Sequence, residues 1–251
     1  MDIRYQIYPS LLNAYQDYVD AYDIWERYWG SSDDAPHTPD EFQAMQRQAL
    51  IDRVNRVPLV SDAADRGTAF NALVDRLIGG SPSRGVTIEA QDDEDGRKYA
   101  VTVKGKTYVW SEKAAQPYAE RFDGCMPQTF VEGTIETRNG GVRLYGFADY
   151  IGSTRVYDLK TARSYERGQY ATGWQHIVYP YCLSQMGADI THFEYTVAAG
   201  SNNERMALYT EEYIYHADDD SRRLRQCIEE FTAFIEDARD EIKDKKIFNY
   251  K

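Results

Sequence analysis

Residues 144–162, LYGFADYIGSTRVYDLKTA, place Asp149, Asp158 and Lys160 in a stretch that otherwise reads as the core of a β-hairpin. If Gly152-Ser153 forms a two-residue loop, Ile151 faces Thr154, Asp149 faces Val156, Phe147 faces Asp158 and Tyr145 faces Lys160. Side chains alternate across a strand, so Asp149, Asp158 and Lys160 fall on one face. The two acids are then diagonal neighbours with Cβ atoms roughly 7 Å apart. Leu144, Gly146, Ala148, Tyr150, Tyr157 and Leu159 fall on the other face. Both faces are largely apolar, which predicts central strands covered on both sides. Two carboxylates in such a place are costly unless they share a proton, pair with Lys160 or hold a divalent cation. For an isolated Asp-x-Lys, an ordinary strand-end ion pair is the commoner explanation. Oxygen donors on facing strands beside a lysine, with no His or Cys set, describe a magnesium or manganese site rather than a zinc site.

Outward from this hairpin, QTFVEGTIET precedes it through an Asn139-Gly140 turn, and a helix opening at Gln169, QYATGWQHIVYPYCLSQMG, follows it. A second hairpin, THFEYTVAA and MALYTEEYIY, leads to a terminal helix from 217 to about 243. Upstream, the spacing predicts a helix capped by Ser10 that runs to Gly30, another capped by Thr38 with Pro39 at its first position, and a third beginning at SDAAD. GGSPSRG (79–85) reads as a linker, VTIEA, KYAVTV and KTYVW as a small meander, and 112–122 as a short helix. The expected organisation is one domain over 1–251, with an N-terminal helical part at 1–60. A β-meander is inserted at 85–110 in a core formed by 61–84 and 111–251.

The chain of 251 residues carries 42% apolar residues and 21 tyrosines, a globular composition without a disorder signature. It has no apolar run of about 18 residues and no basic-then-apolar leader, so the expectation is a cytoplasmic protein away from the membrane. Three scattered cysteines fit neither a disulfide framework nor a four-cysteine cluster. A net charge of −12 argues against a sequence-independent electrostatic grip on nucleic acid, although local patches can override the sum. Arg155, Arg163 and Arg167 flank the acids and are the candidates for contacting a phosphate backbone. His37, His192 and His216 have no partner at ligand spacing, and His176 points about 100° round the helix from Gln175.

GFADY, then VYDLKT, then WQHIVYPYCL on a helix together resemble the PD-(D/E)XK nuclease superfamily, in particular its RecB-like exonuclease branch. The resemblance covers about residues 66–183. It implies an α/β fold, a restriction-endonuclease-like central mixed sheet flanked by helices, and metal-dependent hydrolysis of DNA. The implied setting is exonuclease action in recombination, repair or phage DNA processing. By the same resemblance Asp149, Asp158 and the Leu159 backbone carbonyl would hold Mg2+ or Mn2+, Lys160 would orient the attacking water, and Gln175 and Tyr179 would face the site. Relatives carry His in a Gly-x-x-x-His setting where Gly67 is followed here by Asn71; Asn71 and Glu132 are further candidates for the metal set, and Asp75 stands one turn beyond Asn71. The expected partners are DNA, a recombination or replication protein and further copies of the chain. The alternative expectation is a nuclease-like module that binds nucleic acid or a protein without cutting.

Overall fold

The computed structural model describes residues 2–81, 84–201 and 203–249. In chain order the elements are β1 (Ile3–Ile7), α1 (Pro9–Val19), α2 (Ala21–Trp29), α3 (Pro39–Val54), α4 (Asp62–Leu77), β2 (Val86–Asp93), β3 (Gly96–Val103), β4 (Lys106–Ser111) and α5 (Glu112–Arg121). They continue with β5 (Met126–Thr137), β6 (Gly140–Ile151), β7 (Arg155–Ala162), α6 (Gln175–Gln185), β8 (His192–Ala199), β9 (Ala207–Ile214) and α7 (Ala217–Asp237). Side-chain caps form at three helices, of which the one at Thr38 was expected. Thr38 and Glu41 close a reciprocal capping box at α3, and Ser61 and Ser111 accept from Ala64 and Ala114 at α4 and α5.

The N-terminal part differs from the expectation in two ways. It opens with β1, whose Tyr5 and Ile7 are buried and which pairs parallel with β6. The predicted first helix is two helices broken at Asp20, and it starts at Pro9, whose fixed φ suits a first helical position, rather than after Ser10. Two boundaries also move, one downstream and one upstream. The helix after β7 opens at Gln175 instead of Gln169, because Gly168 adopts φ 86° and the chain turns again at Gly173. α7 stops at Asp237, after which 245–247 form a single 3-10 turn and Phe248 bridges to Tyr5. At the predicted linker Gly79 and Gly85 take positive φ, while 82–83 lie outside the described residues.

The main sheet is mixed. β6 pairs antiparallel with β5 along its length, parallel with β1 at its start and antiparallel with β7 only at its end; β7 is parallel to β8, and β9 closes the edge. β2, β3 and β4 form the separate meander. One core cluster packs α1, α3, α6 and α7 against the sheet, and a second packs α4, α5 and the meander against its other side. A central mixed sheet flanked by helices, with a small meander inserted, is the fold class predicted.

The deciding hairpin departs from its predicted register. The β6–β7 ladder consists of Tyr150 with Tyr157 and Ile151 with Val156, so the loop has four residues, closed by Gly152 N–H donating to Arg155 O at 2.8 Å. Parity survives because four is even, but Asp149 stands opposite Asp158 rather than diagonal to it. The apolar face also divides. Leu144 and Ala148 join the first cluster, whereas Tyr150, Tyr157 and Leu159 join the second. Gln128, at φ 45°, is the position opposite Asp149 that drops out of an otherwise continuous β5–β6 ladder, and the strand changes face there.

Candidate active site

After Tyr150 and Ile151, β6 and β7 separate. The Leu159 N–H, left without a ladder partner on β6, donates to Asp149 Oδ2 at 3.0 Å. That bond fixes Asp149 in the gap between the strands. In an extended strand the N–H and C=O of one residue point to the same side, so the Leu159 carbonyl also faces this gap. α4 closes it from the second core, bringing Asn71 Nδ2 to 3.5 Å from Asp149 Oδ2.

Asp158 is almost fully buried and sits in a closed ring of side chains. Lys160 Nζ lies 2.6 Å from Asp158 Oδ2 and donates to Gln175 Oε1 at 2.8 Å; Gln175 Nε2 donates to Asp158 Oδ1 at 2.6 Å. Gln175 is placed by the start of α6, which α1 anchors: Trp174 N–H donates to Asn13 Oδ1 at 2.7 Å and its indole to Gln16 Oε1 at 3.3 Å. One helical turn on, Tyr179 packs over β6 at Gly146, where a Cβ would come within 2.8 Å of the Tyr179 Cε1 atom. The Lys160 ammonium also lies 5.7 Å from the centre of the Tyr195 ring, on which Tyr170 stacks.

Burial, and then the neighbouring Asp158 charge, push the Asp149 carboxyl up to about 7, against the opposing pull of Lys160 and the Leu159 N–H. For Lys160, burial alone favours the neutral amine, but Asp158 and Asp149 outweigh it and hold the ammonium above its ordinary pKa. The Tyr179 hydroxyl is raised by burial and by both acids, which keeps it a neutral donor.

Excess negative charge and unmet oxygen acceptors are what a hard cation relieves. Asn71 Oδ1 is buried without a hydrogen-bond partner, and Asp158 Oδ2 has only its ion-pair contact with Lys160. Asn71, Asp149, Asp158 and the Leu159 carbonyl make an all-oxygen donor set that fits magnesium or manganese. Among the described residues no group of three or more His, Cys, Asp or Glu is placed to hold a metal, so the amide and the backbone are needed to complete this set.

Not every predicted residue arrives. Glu132 is half exposed and pairs with Arg143 at 2.5 Å, outside the cluster, because it stands opposite Tyr145 on the outer face of the sheet. Arg155 starts β7 at the far end and is committed to Glu194 at 3.1 Å and Glu212 at 2.7 Å. Arg163 and Arg167 are exposed on the segment between β7 and α6. Asp75 is buried, accepts from the Tyr150 hydroxyl at 2.7 Å and is raised by burial, outside the ring around Asp158. His176 points away from the acids, stacked on Tyr213 at 4.1 Å. Asn13 and Tyr195 escaped the sequence reading. Tyr195 was accessible in principle, since the parallel β7–β8 register sets it directly beside Asp158.

A family model of the PD-(D/E)XK nuclease superfamily matches residues 37–247. Among solved structures the chain is similar to a proposed exonuclease from Eubacterium rectale, at 13% identity and TM-score 0.46, covering 92% of this chain and 82% of that one. It is also similar to an alkaline exonuclease from Laribacter hongkongensis, at 10% identity and TM-score 0.41, covering 94% and 92%. No curated protein sequence gave a significant match. Among the described residues no helix is long and apolar enough to cross a membrane.

Proposed function

Since the chain belongs to the PD-(D/E)XK nuclease superfamily, whose members generally use divalent metal ions, we propose that it hydrolyses DNA phosphodiester bonds with magnesium or manganese, as a RecB-like exonuclease. The observation that carries this reading is the convergence of Asp149, Asp158, Lys160 and Gln175 from two strands and a helix on one buried point. A bound divalent cation supplies Lewis-acid charge at the scissile phosphate and a more acidic water. Asp149 and Asp158, with the Asn71 amide oxygen and the Leu159 carbonyl, would hold it. Lys160, kept protonated by the acids, orients the attacking water and stabilises charge developing on the phosphate. Gln175 holds the Lys160 ammonium and the Asp158 carboxylate in fixed relation, so the pair is set before substrate arrives. Tyr179 closes the apolar side and excludes water.

The biological setting we assign is recombination, repair or phage DNA processing in the cytoplasm. A recombination or replication protein would supply the positive potential that a net charge of −12 lacks, and further copies of the chain would add processivity. One observation favours the alternative of a non-cutting module: Asn71 replaces a titratable ligand with an amide that cannot gain or lose a proton near neutrality. A gel assay on linear, circular and single-stranded DNA with each metal separates the two. Metal-dependent loss of linear but not circular DNA is the expected result. Failure to cut any DNA or RNA under any metal condition overturns the nuclease reading.

A further inference from the structure

The outer face of β5 and β6 carries aromatic side chains in water. Register places Phe130 opposite Phe147, Glu132 opposite Tyr145 and Gln6 opposite Arg143, all on the same face. Phe147 is 58% exposed and Phe130 39%, their rings edge to face at 5.3 Å. Tyr145 follows on the same face, with Tyr8 beside it at 5.8 Å. Singly exposed apolar residues are ordinary, but this is a contiguous row, and Phe147 is two residues from Asp149 on one strand, about 7 Å along it.

Away from Asp149 the row enters a groove of about 550 Å³ lined by Gln6, Tyr145, Arg56, Lys245 and Lys246, with Asp244 its one acid. Arg56 donates to the Tyr145 hydroxyl at 3.3 Å. In a chain with 41 acids and 29 Lys and Arg, a cationic groove continuous with exposed aromatic rings is a local reversal of the overall charge. Aromatic faces beside a positive groove are what a single strand of nucleic acid requires: its bases offer free π-faces and its backbone offers phosphates.

We propose that this face docks a single-stranded stretch of the nucleic-acid substrate. Bases stack on Phe147, Phe130 and Tyr145, the backbone runs to Arg56, Lys245 and Lys246, and the strand is led toward Asp149. The proposal deepens the nuclease reading and takes the occupant's identity from it. In a closed duplex the base faces are already stacked, so the surface selects single strands or frayed ends.

The test is fluorescence anisotropy of a labelled oligothymidylate, and of a blunt duplex, titrated with the full chain in EDTA so that nothing is cut. Phe147→Ala should weaken single-strand binding about 10-fold, within the range for losing one stacked base, while Phe147→Trp restores it. Duplex binding should change less than about twofold for either variant, the surface being selective for free base faces. Lys246→Ala should make the logarithmic salt dependence shallower by about 0.7. Wild-type affinity in Phe147→Ala, equal losses on both probes, or no binding by wild type overturns the proposal. So does a wild-type dimer in sedimentation that Phe147→Ala converts to monomer, since the face would then join two copies. A wild type that binds through Phe147 yet cuts nothing with any metal leaves the surface standing and removes the nuclease reading. Normal cutting by a Phe147→Ala protein with unchanged affinity does the reverse.

Discussion

At the scale of the residue, the site is a problem in charge balance, and its members differ in what their loss should do. Lys160→Ala removes the group that stabilises developing charge, so cleavage should fall about 10²- to 10³-fold. It also leaves Asp158 buried without its counter-charge, so the melting temperature of the metal-free protein should fall as well. Asp158→Asn should abolish cleavage to a similar extent; it relieves repulsion with Asp149, which still balances Lys160, so the melting temperature should fall less than in Lys160→Ala. Tyr179→Phe keeps the ring over Gly146 and should cost only a few-fold. Single-turnover rates and melting curves on the three variants check these orderings; a Lys160→Ala protein as fast as wild type removes Lys160 from the mechanism. His176 gives a pH signature independent of activity. Burial depresses it to about 4, so the native state binds fewer protons than the unfolded chain between about 4 and 6.5. Its contribution is complete above pH 6.5 and lost as pH falls through 4, worth at most about 3 kcal/mol. His176→Gln should flatten the stability profile over that window alone, as read by urea unfolding at several pH values.

Elements turn these residues into a site through small backbone irregularities. β6 and β7 share two residue pairs, and the gap beyond them is where Asp149 meets the Leu159 N–H. Gly146 admits Tyr179 against the strand, and Gly146→Ala would drive a methyl group to 2.8 Å from its ring. The variant should lose about 1–3 kcal/mol in urea unfolding and part of its turnover, because an overpacked Tyr179 disturbs Gln175 one turn away. An unchanged melting curve would show that Tyr179 moves freely and does not hold the site. Much of this was legible from residue order alone. The parity of the hairpin, the cap of α3, the meander and the i,i+4 pairing of Gln175 with Tyr179 all rest on local rules that tertiary packing left in place. What escaped depended on distant partners. The five residues of β1 are a strand because β6 is there to pair with them, and the β6 face change follows from a positive φ at Gln128 on the neighbouring strand. Glu132 looked like a candidate acid until register put it on the outer face with Arg143.

For the whole molecule, the carboxylates make the metal-free state a compromise that a cation should resolve. Because the Asp149 pKa is raised to about 7, the native state keeps a proton that the unfolded chain releases near the ordinary carboxylate value of about 4. Metal-free stability from this group is therefore complete below pH 4 and declines as pH rises through 7. A cation that binds the native donor set and not the unfolded chain opposes that decline. At a hundredfold excess over its dissociation constant it adds about 2.7 kcal/mol, a rise of roughly 5–10 °C for a chain of this size. The rise should be larger at pH 8 than at pH 5, where a proton competes for Asp149. Asp149→Asn combined with Asp158→Asn removes the acid repulsion together with both counter-charges of Lys160, and should not respond to magnesium or manganese. Differential scanning calorimetry of both proteins at the two pH values, with and without oligonucleotide, decides the matter. If neither metal moves the wild-type transition under any of these conditions, the cation does not sit between Asp149 and Asp158, however well their oxygens are placed for it.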